Sequence, residues 1–206
     1  MKKFLAFTMA AAMTLSLAAC GGGSSSGSNT SADGSGSAAF KLGGTGPLTG
    51  DASIYGLAAQ RGAQIAVDEI NAEGGAIQFE LKYEDDVNDP EKAVNAYNAL
   101  KEWGMQISLG SVTTQPGIAT SSYNFADSIF ALTPSASSPD VISGKDNVYQ
   151  MCFSDPNQGT ASAKYISEQK LGEKVFIIWK SDDNYSTGIK DKFVAEAETL
   201  GLNVVG

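Results

Sequence analysis

The sequence predicts an α/β fold built on a doubly wound parallel sheet, and three observations carry that expectation. Short apolar runs alternate with longer amphipathic stretches from residue 39 onward. The amphipathic stretches begin at capping residues or close on glycine. The order is strand, helix, strand, repeated, which calls for crossovers and parallel pairing. In such sheets ligands bind outside the carboxyl ends of the strands.

The elements follow in order. "AAFKLGG" opens a first strand. "SIYGLAAQRGAQIAVDEINAEGG" places Leu57, Ala58, Ile65, Ala66 and Ile70 at helical spacing and closes on Gly74 and Gly75. "AIQFELKYED" alternates, with Ile77, Phe79, Leu81 and Tyr83 on one face. "NDPEKAVNAYNALKEWG" predicts a helix capped by Asp89, with Pro90 at its first position and Gly104 as its stop. "MQISLG" is a short buried strand, "TQPGIATSSYNFAD" a weak helix and "SIFALT" another strand. After the loop "PSASSPDVISGKDN" come the strand "VYQMCFS" and the helix "DPNQGTASAKYISEQKLG". "KVFIIWK" reads as a strong strand, "YSTGIKDKFVAEAETLG" as a helix, and "LNVVG" starts one more strand. That last strand lacks a following element, which suggests a fragment.

The first 38 residues read differently. Lys2 and Lys3 precede an apolar segment over residues 4–17, too short to span a bilayer comfortably and suited to a signal peptide over 1–19. "LAAC", ending at Cys20, resembles a lipobox, so Cys20 is the expected lipidation point; the plainer alternative is a secreted protein with a chance cysteine. The Gly/Ser-rich stretch that follows makes residues 20–38 a lipidated cysteine and flexible tether. Taking Lys2 and Lys3 from the 14 basic side chains leaves 12 against 23 acidic ones, a formal charge of −11. Such a surface opposes nucleic acid and a polybasic grip on lipid.

Catalytic signals are absent. The chain has no histidine and two cysteines, so no base stands ready for a serine or thiol nucleophile. "GGTGPLTG" fits neither dinucleotide nor P-loop spacing and reads as a tight loop. "EDDVNDPE" holds five acids in eight residues without Ca²⁺-loop spacing; helix capping accounts for it better than acid–base work or a metal. No cofactor and no metal are expected. What stands out is "SLGSVTTQPG", residues 108–117, where an apolar run ends in hydroxyls and bare backbone at a strand's carboxyl end. Hydroxyls and N–H groups there suit an anion such as a carboxylate. The alternative is that Ser111 and Thr113 merely cap the helix of "TQPG".

Together "GPLTGDASIYG", "GAQIAVDEINAEGG", "YEDDVNDPEKAV", "GSVTTQP", "TPSASSPD" and "QGTASAKYI" resemble the periplasmic Leu/Ile/Val-binding protein family, receptors of ABC importers. The resemblance runs from about Ala39 to the end and covers the first half of a family member. It implies a two-lobed periplasmic-binding-protein fold with doubly wound parallel sheets: most of a first lobe over 39–154, and an incomplete second lobe from 155 to 206. It implies a ligand carboxylate held at Ser111, with Thr113 beside it. It also implies backbone and hydroxyl contacts from Ser135, Ala136 and Ser137, and aromatic contacts from Tyr55 and Tyr185. The acid that pairs with a ligand ammonium in the family lies beyond Gly206. The implied function is capture of branched-chain or related amino acids outside the membrane, by a non-enzymatic protein anchored through lipid on Cys20, for delivery to ABC permease subunits. A sensory module of the same fold, or a binder of amides or short peptides, is the alternative.

Overall fold

The computed structural model describes residues 39–206; Cys20 and the segments 1–19 and 20–38 lie outside the described residues. A five-stranded parallel sheet leads. β1 (Phe40–Gly46), β2 (Phe79–Asp85), β3 (Ile107–Ser111), β4 (Phe130–Thr133) and β5 (Val148–Gln150) line up in the order β2-β1-β3-β4-β5. The crossovers are α1 (Ser53–Ala72), α2 (Pro90–Trp103) and α3 (Thr114–Ala126); a loop with a 3₁₀ turn at Pro139–Val141 leads into β5. A second, two-stranded parallel sheet pairs β6 (Lys174–Val175), which follows α4 (Asp155–Glu168), with β7 (Asn203–Val204), which follows α5 (Asn184–Leu200).

The strand order reverses once. From β1 the chain moves outward to β2, then returns past β1 to β3 and runs on to β5. The carboxyl ends of β1 and β3 therefore diverge into opposite crossovers, and a crevice opens between them.

Local sequence explains most boundaries. The Asp89 side chain accepts from Lys92 N at 2.9 Å, Pro90 opens α2, and Gly104 ends it at φ 93. Asp183 caps α5 by accepting from Ser186 N at 2.9 Å. Gly74 follows α1 at φ 68. Three small cores form: Tyr97, Leu100 and Met105 between α2 and the sheet; Ala131, Ala136, Val141 and Val148 around β4 and β5; Ala163, Phe193 and Ala197 between α4 and α5.

Four local expectations are corrected. Gly46 lies in β1 and not in a loop, together with Gly43 and Gly44 of the expected first strand: a Cβ at Gly44 would meet the Tyr83 ring at 2.5 Å, and one at Gly43 the Met105 sulfur at 2.2 Å. Glycine is required because neighbouring side chains already fill those spaces. β2 begins at Phe79, leaving Ile77 exposed outside it. On α1, Ile65 and Ile70 face out and the buried positions are Gly56 and Val67, because close backbone approach sets the helix's seat. The run "KVFIIWK" is strand only at Lys174–Val175, and Ile178 is 88% exposed. Beyond Val175 the run continues its pairing with Ile177 N donating to Gly206 O at 2.7 Å.

The seat of α1 gives a direct test. A Cβ on Gly56 would lie 2.1 Å from the Pro47 carbonyl oxygen, whereas one on Gly62 meets nothing within 4 Å. Gly56→Ala is expected to destabilise by about 1–3 kcal/mol or more, and Gly62→Ala to stabilise by about 0.5–1 kcal/mol. Urea midpoints of the two variants check this; equal midpoints would refute the packing account.

Candidate functional site

At the crevice, Thr45 of β1 pairs in register with Ser111 of β3. The ladder slips between Gly43 and Thr45, and Gly110 takes φ 65 just before Ser111. A Cβ at Gly110 would meet Thr133 backbone and side chain at 2.9 Å, so only glycine lets β3 turn this close to β4. Thr45 Oγ1 and Ser111 Oγ lie 2.6 Å apart, and Ser111 Oγ lies 2.9 Å from Thr120 Oγ1 on α3. Thr120 in turn donates to the Pro116 carbonyl at 3.0 Å.

The loop after β4 is stitched to the same place. Thr133 Oγ1 donates to Ser111 O at 2.7 Å and accepts from Ala136 N at 3.0 Å. Ser135 Oγ donates to Val112 O at 2.5 Å, and Ser137 N donates to Thr114 Oγ1 at 3.3 Å. Ser111, Thr113, Ser135, Ala136 and Ser137 are thus brought together around the start of α3. Helix capping does not explain the hydroxyls. Ser111 bonds elsewhere, and Thr113, though in the capping position, makes no side-chain cap bond. Its Oγ1 is buried without a partner. Among the described residues Thr114 N and Gln115 N make no hydrogen bond and Pro116 brings no N–H, so the first turn of α3 keeps two unmatched donors at the positive end of the helix dipole.

Neither Tyr55 nor Tyr185 hydrogen-bonds to this cluster. Tyr185 is on the first turn of α5 and 40% exposed; the loop before it touches α3, with Gln115 Nε2 donating to Asp182 O at 2.9 Å. Tyr55 is on the first turn of α1, 64% exposed, with no hydrogen bond to the hydroxyl cluster. Among the described residues no group of acids, cysteines or histidines has the arrangement of a metal site. No described helix is long and apolar enough to cross a membrane.

Comparison with known proteins decides the family. Residues 39–206 match the model of the periplasmic binding protein family. The chain belongs to the periplasmic binding protein family. Its curated relatives include the Leu/Ile/Val-binding protein BraC3 of Rhizobium johnstonii, 33% identical over 77% of this chain and 44% of that protein. The leucine-, isoleucine-, valine-, threonine- and alanine-binding protein of Pseudomonas aeruginosa is 31% identical over 80% of this chain and 45% of its own. Among solved structures, the substrate-binding protein LivJ of Streptococcus pneumoniae in complex with isoleucine superposes with TM-score 0.75 at 26% identity, covering 81% of this chain and 48% of that one. The leucine-binding protein LivK of Thermotoga maritima gives TM-score 0.75 at 25% identity, covering 81% and 47%. The chain spans about half the length of the relatives it matches.

In this periplasmic binding protein, two buried acids escape a reading by sequence. Asp85 and Asp89 do structural work: Asp85 Oδ1 accepts from Leu48 N at 2.8 Å and Oδ2 from the Thr49 hydroxyl, while Asp89 caps α2. Asp86, between them in "EDDVNDPE", is 0% exposed. Its Oδ1 accepts from Asn88 N at 2.9 Å, and its Oδ2 has no partner. Burial pushes its carboxyl up to about 6, with the Asp85 and Asp89 charges adding to the rise against opposing hydrogen bonds. Asp155, at the start of α4, is also fully buried with both carboxylate oxygens unpartnered, and its pKa is raised by burial. A run of acids reads as a solvated surface in sequence. Only the sheet shows that Asp86 turns inward beside Thr45.

A raised pKa makes this group's contribution to stability greatest at low pH, where both states are protonated, and erodes it as pH rises through about 6. Asp86→Asn keeps the acceptor for Asn88 N and removes the charge. At pH 7.5 the variant is expected to exceed the parent by up to about 3 kcal/mol, with the gap closing below pH 5. Denaturant titrations of both proteins at the two pH values check this, and a gap independent of pH would refute it.

Proposed function

We propose that this chain is the front portion of an extracytoplasmic substrate-binding lipoprotein of an ABC importer that captures branched-chain or related amino acids. The observation that carries this reading is the uncapped N-terminus of α3 at the strand-order reversal, with hydroxyls packed around it and the unpartnered Thr113 Oγ1 beside it. An α-carboxylate matches those donors. Its charge is met by N–H groups, hydroxyls and the helix dipole without a cation. Neutral donors leave a zwitterion's ammonium free to pair elsewhere. The names of the relatives agree with this ligand class.

In this reading Ser111 and Thr113 donate to the carboxylate. Ser135, Ala136 and Ser137 frame it with backbone and hydroxyl groups. Tyr55 and Tyr185 flank the side chain. Residues 39–154 form most of one lobe and 155–206 begin the other, and closure on the ligand is a hinge motion stabilised by contacts to both. The chain has no histidine, and the cluster holds donors with no general base among them, so binding and not turnover is the proposed activity. Lipid on Cys20 would hold the protein at the outer membrane surface of the cytoplasmic membrane, presenting ligand to permease subunits.

The test uses the protein as the cell produces it, titrated calorimetrically with Leu, Ile and Val. Saturable binding of at least one is expected. Ser111→Ala is expected to weaken it by about 1.5–3 kcal/mol, the worth of a charge-assisted hydrogen bond. Unchanged affinity in that variant would remove Ser111 from the site, and no binding of any of the three would refute the ligand class. Cys20→Ala is expected to abolish incorporation of labelled fatty acid; persistent labelling would place the anchor elsewhere.

A further inference from the structure

Thr45, Ser111 and Thr120 share hydroxyl protons along one buried line, and each oxygen brings one proton. The Pro116 carbonyl, 3.0 Å from Thr120 Oγ1, can only accept. Thr120 therefore donates to it, Ser111 donates to Thr120, and Thr45 donates to Ser111. In this polarity the Ser111 proton points inward. To serve a ligand carboxylate it must turn out. Thr120 then turns its own proton to Ser111, while the Pro116 carbonyl keeps its backbone partner in the helix. In both arrangements Thr45 must give its proton to Ser111, because oxygens 2.6 Å apart need a proton between them.

Asp86 competes for that same proton. The Thr45 hydroxyl lies beside its carboxyl group, and its Oδ2 is buried without a donor. Ionised, Oδ2 is a stronger acceptor than a neutral hydroxyl. If Thr45 turns to it, Ser111 must donate back to Thr45 and has nothing left for a ligand. The charges acting on Asp86 are Asp85 and Asp89 of its own turn, both negative; facing it from β1 are the uncharged Thr45 and Gly46.

We propose that Asp86 is a positioning residue for the carboxylate site: protonated, it leaves Thr45 to hold Ser111 with its proton facing the ligand, and ionised, it draws the Thr45 proton and turns Ser111 away. This rests on the reading of Ser111 as a carboxylate donor. Binding is then coupled to uptake of one proton, and the competent population shrinks as Asp86 ionises.

The experiment is calorimetric titration of L-leucine, with Ile and Val as further probes, at pH 5.5 and 7.5. Buffers of differing ionisation enthalpy report the proton. Free leucine does not titrate in this range. For the parent, affinity is expected to weaken about tenfold or more from the lower to the higher pH, with proton uptake on binding, given a carboxyl poised at about 6. Asp86→Asn is expected to bind at pH 7.5 as tightly as the parent at pH 5.5, without pH dependence. Thr45→Val, which cuts the line, is expected to bind weakly and equally at both. Should Asp86→Asn fail to fold, the parent's pH profile and buffer-dependent heats, with Thr45→Val, decide the matter. Leucine binding that is flat with pH, or pH dependence that survives in Asp86→Asn, would overturn the role of Asp86 alone. Absence of binding for all three probes at both pH values would overturn the proposed function and this role with it.

Discussion

Everything in the five-stranded sheet depends on how little β1 occupies. It is the strand between β2 and β3, and three of its seven residues, Gly43, Gly44 and Gly46, bring no side chain. The Met105 side chain, the Tyr83 ring and Val112 fill the space those residues leave. The same economy lets α1 approach until Gly56 touches the Pro47 backbone. A bulkier β1 would push α1 and β3 apart and widen the crevice at their ends. The geometry of the site is therefore set by absent side chains several residues away, a consequence of dense interior packing.

The site combines tight internal bonding with one open end. Thr133, Ser135 and Thr114 tie the loop after β4 to the start of α3, so the backbone around the crevice is held by the protein's own bonds. Preorganisation of this kind lowers the ordering cost of binding. Among the described residues, the buried polar atoms without partners include the Thr113 hydroxyl, Asp86 Oδ2 and both Asp155 carboxylate oxygens, together with Asn124 Oδ1, Asn147 Oδ1 and Gln158 Oε1. Buried polar groups without partners are costly. Thr113 and Asp86 lie at the strand ends, where the rule that function collects at locally unsatisfied groups applies.

Much of the fold was legible because local chemistry and tertiary packing agree. Asp89, Pro90 and Gly104 bracket α2 as capping chemistry requires, and the alternation of strands and helices yields the parallel order. The hydroxyl stretch was legible as a strand-end feature, and its residues do converge. The misses share a cause. "KVFIIWK" has the composition of a strand and pairs with β7 only over Lys174–Val175 among the described residues. Ile65 and Ile70 follow helical spacing, but Gly56 fixes which face of α1 meets the sheet. Asp86 looks like its acidic neighbours, and its inward turn follows from backbone that enters the left-handed region at Val87 and Asn88. Pairing, seat and burial are non-local, and each was missed for that reason.

The contact between α3 and the loop before α5 is made of neutral groups, the Gln115 amide and the Asp182 carbonyl. The ion pair of Lys101 with Asp127, at the far end of α2 and α3, is charged and partly exposed. Ionic strength weakens the second far more than the first. A change of salt thus acts on the periphery of the first sheet more than on the junction beside the crevice. Of the two, the contact beside the crevice is the one that salinity reaches least.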